Sequence, residues 1–208
     1  MKQKKYINNK KTIIFSISTI LFIALTAIIL SNKIKTIDNI IKSFVIEIRE
    51  DSLTNFMTII TNIGSAYSLI IISIILLIII KRKQIPKIIS INLLLVFLIS
   101  HITKIIIRRP RPIGISLINA TGYSFPSGHS MVSMAYFGFI AYLIYKYINN
   151  KILKVILISL IFIIVILIGF SRIYLGDHYF SDVTGGFLLS IAYLMIFIKL
   201  TAKYRGDN

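Results

Sequence analysis

Cysteine is absent from the 208 residues. No disulfide can form, and no metal can be held by thiolate. Acidic residues are scarce too: seven against 24 lysines and arginines, for a formal net charge of +17. Polar side chains are too few to cover the surface of a soluble domain of this length. Aliphatic residues stand in their place. The chain is 56% hydrophobic, and isoleucine alone fills 52 positions, in runs such as 69–80 and 155–170. Runs so long and so apolar belong in a bilayer. A soluble enzyme, a disordered tail and a disulfide-rich secreted module are thereby excluded.

Uncharged stretches predict six membrane-spanning helices, at about 12–32, 52–80, 88–107, 129–146, 154–171 and 182–199. Isoleucine favours strands by propensity. In lipid, however, an isolated apolar run satisfies its own backbone only as a helix. Flanking lysines and arginines extend the shorter spans by snorkelling. The expected fold is therefore all-α, a six-transmembrane-helix bundle forming one domain over residues 1–208. The first span is longer than the ~7–15-residue core of a signal peptide and lacks a small-residue cleavage site, which predicts a retained anchor.

A net charge of +17 invites a nucleic-acid reading, but the placement of the charge argues otherwise. Lys2, Lys4, Lys5, Lys10 and Lys11 precede the first span, which predicts a cytoplasmic amino terminus. Alternation then places Lys81, Arg82, Lys83 and Lys87, next Lys146, Lys151 and Lys154, and finally Lys199, Lys203 and Arg205 on the same side. Fifteen of the 24 basic residues are thus topological, and every acidic residue except Asp207 falls outside. A multi-pass protein of the cell membrane follows, with both termini cytoplasmic and no nucleic-acid partner. Lys33, Lys35, Lys42 and Arg49 lie among Ile34, Ile37, Ile40, Ile41, Phe44, Val45 and Ile48 at helical spacing. This pattern predicts an interfacial amphipathic helix between the first two spans.

Lys104, Arg108, Arg109, Arg111 and Arg172 are the other basic residues on the outer side, and they belong to three chemistry-bearing stretches. The first runs from Lys104 to Arg111-Pro112. The second is Phe125-Pro126-Ser127-Gly128-His129-Ser130. The third runs from Ser171-Arg172 through His178 to Asp182. Cations that converge repel one another unless an anion neutralises them. Arginine forks suit phosphate oxygens, and lysine adds a point charge. Ser127 and Gly128 precede the fourth span, so free N–H groups of its first turn can face the same anion. The set describes a phosphoryl cradle that needs no metal or other cofactor. His178 and Asp182 stand four residues apart. A carboxylate on one ring nitrogen leaves the other free as a nucleophile. His129, from another helix, can protonate a leaving oxygen.

These stretches resemble the three-part signature of the type 2 phosphatidic acid phosphatase superfamily: K-x6-R-P, then P-S-G-H, then S-R-x5-H-x3-D. Every signature position is present between Lys104 and Asp182. Six spans in a chain of this length also resemble the family's small bacterial membrane members. The resemblance implies that Lys104, Arg111 and Arg172 hold the phosphate with help from Ser127 and Gly128. It also implies that His178 is the nucleophile forming a phosphohistidine, His129 the acid and Asp182 the orienting partner. The six-residue spacing selects Arg111-Pro112 over Arg109-Pro110, leaving Arg108 and Arg109 as interfacial or headgroup contacts.

Taken singly, each residue has a plainer explanation. Lys104 could be a snorkelling anchor, Pro126-Ser127-Gly128 only a helix start, and His178 with Asp182 a structural pair. A metal site of His129, His178 and Asp182 is chemically conceivable, but the neighbouring cations disfavour a divalent ion. His101 reads as an interior residue of the bundle, and Gly185-Gly186 as a close-packing pair. The expected activity is hydrolysis of a lipid phosphomonoester or pyrophosphate at the extracytoplasmic face. Undecaprenyl pyrophosphate is the first choice of substrate, and phosphatidylglycerophosphate or phosphatidic acid the alternative. An anionic-lipid transporter or scaffold is the competing reading, which predicts binding without turnover.

Overall fold

Apolar runs that must satisfy their own backbone have become helices throughout the computed structural model. The structure describes residues 2–81, 84–118 and 120–205, with residues 2–8 described by backbone alone. The side chains of Lys2, Lys4 and Lys5, and Arg82, Lys83 and Asp207, lie outside that description. In chain order the helices are α1 (Lys2–Leu30), α2 (Lys35–Glu47), α3 (Asp51–Ile63), α4 (Ala66–Ile79) and α5 (Gln84–Ile107). They continue as α6 (Gly128–Tyr147), α7 (Lys151–Tyr174), α8 (Phe180–Leu200) and the single turn α9 (Ala202–Arg205). No strand occurs among the described residues. Tertiary surroundings have overridden the strand preference of isoleucine.

Helices α1, α5, α7 and α8 are long and apolar enough to cross a membrane. The stretch expected as one span over 52–80 is instead two helices, α3 and α4, bent by 49°. The cause is local. Ser65 caps α4 by accepting from the Ser68 amide at 3.3 Å. A side chain on Gly64 would collide with Ile168 of α7, since its Cβ would lie 2.6 Å from Ile168 Cγ2. Counted as one broken span, the pair raises the number of candidate crossings among the described residues to five. Helix α6 falls outside this set although it has 20 residues. Gly128, His129, Ser130, Ser133 and four tyrosines dilute its apolar character.

That same helix sits at the centre of the bundle, packed by α5, α7 and α8, while α1 runs along α8. Met131, Ala135, Tyr136 and Phe139 are fully enclosed and form one core with Val96, Leu194 and Phe197. The outer surface is as apolar as the inside: Ile78, Ile106 and Ile152 are 71%, 70% and 74% exposed. Side chains of this kind gain nothing by facing water and suit a lipid-facing surface. Polar groups inside the bundle link helices pairwise. Asn92 donates to the Ala135 carbonyl at 2.9 Å, and Ser190 donates to the Met131 carbonyl at 2.6 Å.

The α2 segment is helical, as its periodicity predicts, and it carries a charged residue on its buried side. Ile37, Ile40 and Phe44 point outward, whereas Asp38 is buried along with Val45. At the chain's other end Arg205 also departs from a loop charge: it is 1% exposed and donates to the Ile198 carbonyl at 2.8 Å.

Candidate active site

Arg108 ends α5 by adopting a left-handed φ of 52°. Pro110 and Pro112 then prevent a helix from resuming. Between α5 and α6 the described residues form no regular element, and they cross one end of the bundle to Ser127. Ser127 caps α6 by accepting from the Ser130 amide at 3.5 Å, and its own amide donates to the Asp182 carbonyl at 3.0 Å. Gly186 permits that approach, because a Cβ there would sit 2.9 Å from the Ser127 carbonyl oxygen.

A tight turn joins α7 to α8. Gly176 takes φ +77°, a region open to glycine, and the amides of Asp177 and His178 both donate to the Arg172 carbonyl, at 3.1 and 3.2 Å. The turn sets Asp177 and His178 side by side, both buried. Helix α8 begins only at Phe180. His178 and Asp182 therefore meet across a helix start, not along a helix face as their spacing suggests. Asp182 accepts from the Tyr179 amide at 2.9 Å and from the Ser124 hydroxyl. Its Oδ2 lies 3.4 Å from His178 Nδ1. The other ring nitrogen, Nε2, faces Arg111 Nη1 at 3.3 Å and Asp177 Oδ2 at 3.4 Å.

The cations predicted to hold phosphate converge on this turn. Arg111 donates to Asp177 Oδ1 at 2.7 Å, and Arg172 pairs with Asp177 Oδ2. Arg172 also donates to Thr61 Oγ1 at 2.7 Å. Lys104 donates to the carbonyls of Tyr123 at 2.7 Å and Ser124 at 3.1 Å, in the segment whose Ser124 hydroxyl reaches Asp182. A Cβ on Gly128 would lie 3.8 Å from Lys104 Cε, so the start of α6 adjoins that lysine. The His129 ring has no hydrogen-bond partner among the described residues, yet it lies within electrostatic reach of Arg172, His178, Asp177 and Lys104. All eight residues singled out by the sequence share one neighbourhood.

Burial pushes the His178 ring down to about 4, against the pull of Asp182 and Asp177. At neutral pH the ring is therefore uncharged and retains a lone pair. Burial alone would raise the Asp177 carboxyl, but His178, Arg172 and Arg111 together hold it below the ordinary carboxylate range. Among the described residues, no group of three or more His, Asp and Glu side chains is arranged to hold a metal ion.

Two expectations need correction. Arg109 is not a headgroup contact. It donates to Asp182 Oδ1 at 2.6 Å, to Ser181 Oγ at 2.7 Å and to Asp38 Oδ2 at 2.7 Å, and its guanidinium lies 4.3 Å from the centre of the Tyr179 ring. His101 is exposed and is not an interior residue. Lying three residues before Lys104 on α5, it turns away from the bundle. Asp38, which also accepts from the Ser181 amide at 3.0 Å, ties α2 to the site through Arg109. Sequence reasoning missed Asp38, Ser124, Asp177 and Thr61. Only Asp177, adjacent to a motif histidine, and the repeated Arg-Pro pair at 109–112 offered a signal.

A profile of the PAP2 superfamily matches residues 87–205. Phosphatidylglycerophosphatase B of Bacillus subtilis (strain 168) is 34% identical over 178 residues, spanning 82% of this chain and 86% of that protein. The crystal structure of a transmembrane PAP2-type phosphatidylglycerolphosphate phosphatase from Bacillus subtilis superposes with a TM-score of 0.83 at 28% identity, covering 91% of this chain and 96% of that one. The structure of Aquifex aeolicus LpxE gives a TM-score of 0.62 at 26% identity, covering 76% and 92%.

Proposed function

Since the chain belongs to the PAP2 superfamily and is a phosphatase of that family, we propose that it hydrolyses a lipid phosphate by way of a phosphohistidine on His178. The observation that carries this reading is the setting of one imidazole. Its Nδ1 lies against Asp182 while Nε2 faces Arg111, which shares the Asp177 carboxylate with Arg172. Asp182 keeps the proton on Nδ1, so the lone pair sits on Nε2. With the phosphoryl group in the cradle, Nε2 attacks phosphorus and the bond to the lipid oxygen breaks. His129 gives its proton to that oxygen. A water then attacks the phosphohistidine, His129 takes the water's proton, and inorganic phosphate leaves. The cations, together with the first-turn N–H groups of α6 from Gly128 onward, stabilise charge on the phosphoryl oxygens throughout.

Phosphatidylglycerol phosphate is the substrate class best supported, because two relatives carry names for that activity. Undecaprenyl pyrophosphate, favoured on topology alone, becomes second. The charge distribution supports six crossings, with α6 as a shielded span and α3–α4 as a broken one, cytoplasmic termini and an extracytoplasmic site. Absence of cysteine makes this testable, since single cysteines introduced at Tyr123 and Lys203 should be labelled from opposite sides. Phosphate release by purified protein, assayed in chelator over a panel of lipid phosphates, tests the activity. The reading expects turnover in chelator and its loss in His178→Ala. Full activity of that folded variant on every substrate would overturn it.

A further inference from the structure

In the resting site the donors that should meet a phosphate are already engaged. Arg111 places Nη1 on the Asp177 carboxylate and carbonyl, Nε on the Gly122 carbonyl at 3.1 Å and Nη2 on the Thr121 carbonyl at 3.0 Å. Lys104 is held by the Tyr123 and Ser124 carbonyls. Arg172 reaches Thr61 and Asp177, and its buried Nε has no partner among the described residues. The Asp177 carboxylate thus bridges both guanidinium groups and faces the nucleophilic nitrogen of His178 at 3.4 Å.

We propose that Asp177 is a resident anion, occupying the place of the substrate's phosphoryl group until a phosphate displaces it. Two carboxylate oxygens, one on each arginine, reproduce two of a phosphoryl group's three equatorial contacts. The free Nε of Arg172 is a donor still awaiting an acceptor. Displacement needs only a side-chain rotation, because the Asp177 main chain is fixed by the Gly176 turn and by Arg111 on its carbonyl. The exchange favours ligands by charge. A dianionic terminal phosphate outbids one carboxylate on the same arginines, whereas a phosphodiester, with a single negative charge, gains little. Asp177 would thereby keep the cradle clear of the phosphodiester headgroups that surround it in a membrane. It acts as a threshold: the same displacement cost falls on every ligand, and only one that binds the arginines strongly overcomes it.

This inference rests on the phosphatase reading, and the experiment separates the two. Asp177→Asn keeps the shape and removes the charge. Inhibition by inorganic phosphate and by phosphatidylglycerol is measured in mixed micelles containing phosphatidylglycerol phosphate. Both inhibition constants should fall by about tenfold, since the binding-competent state is no longer a minority. Unchanged or weaker inhibition means that Asp177 only clamps the arginines, and the proposal is overturned. If the variant does not fold, infrared difference spectra of the unmodified protein decide. Phosphate should perturb a carboxylate stretching band, and a spectrum without that change overturns the proposal. No turnover by the unmodified protein would sink the phosphatase reading alone, because calorimetric binding of inorganic phosphate to both proteins still decides on Asp177.

Discussion

The two parts of this molecule handle polar groups in opposite ways. In the body of the bundle, buried polar contacts are sparse and isolated. Asn92 meets one carbonyl of α6, Ser190 meets another, and Ser73 meets Tyr136 at 2.9 Å. At the end that carries the α7–α8 turn, polar groups form a continuous network. Three buried carboxylates, Asp38, Asp177 and Asp182, are each held by at least one arginine, and Arg109 spans two of them. Isolated contacts can be lost one at a time. In the network, removing one member leaves buried charge unpaired, at a cost set by desolvation.

Substitutions should expose that contrast in graded steps. His178→Ala removes the nucleophile and should lower turnover by at least about 10³-fold while leaving thermal stability near that of the parent. Arg109→Met strands Asp38 and Asp182, with an expected loss of about 3–5 kcal/mol measured by unfolding in detergent. Activity should fall in parallel by on the order of 10²-fold, because Asp182 loses the group that fixes its Oδ1. Adding Asp38→Asn to Arg109→Met should restore part of the stability, and strict additivity would show that the two residues are not coupled.

Smaller effects should follow from pH and from the body. His178 takes up its proton near ~6.5 in an unfolded chain but only near about 4 in the fold. The unfolded state therefore binds more protons between those values. Stability is complete above the upper value and declines as pH falls toward the lower one. His178→Gln should flatten that part of the melting profile. In the body, Asn92→Leu should cost roughly 1 kcal/mol or less, the usual scale of a hydrogen bond between membrane helices. A loss there as large as that of Arg109→Met would erase the distinction between the two regions.

The same division decides what could be read without a structure. Helices in the body were legible because hydropathy fixes their length, although the α3–α4 break was hidden inside a run that stays uncharged through Gly64-Ser65. The reacting residues were legible because phosphoryl transfer demands particular groups at set spacings. The ion pairs around them were not. Asp38 lies 71 residues from Arg109, in a segment whose periodicity suggested only an interfacial helix. Arg109 itself was masked by its neighbour Arg111, the better match to the motif. Asp177 was passed over because a carboxylate among phosphate-binding cations makes no sense until its pairing with Arg111 and Arg172 is seen.

The central claim is that His178 carries the phosphoryl group between lipid and water. Rapid acid-free quenching of the purified protein with radiophosphate-labelled phosphatidylglycerol phosphate tests it most directly. The account predicts a label that is stable in alkali, labile in acid, present in the unmodified protein and missing from His178→Ala. Label of undiminished amount on the His178→Ala variant would contradict it.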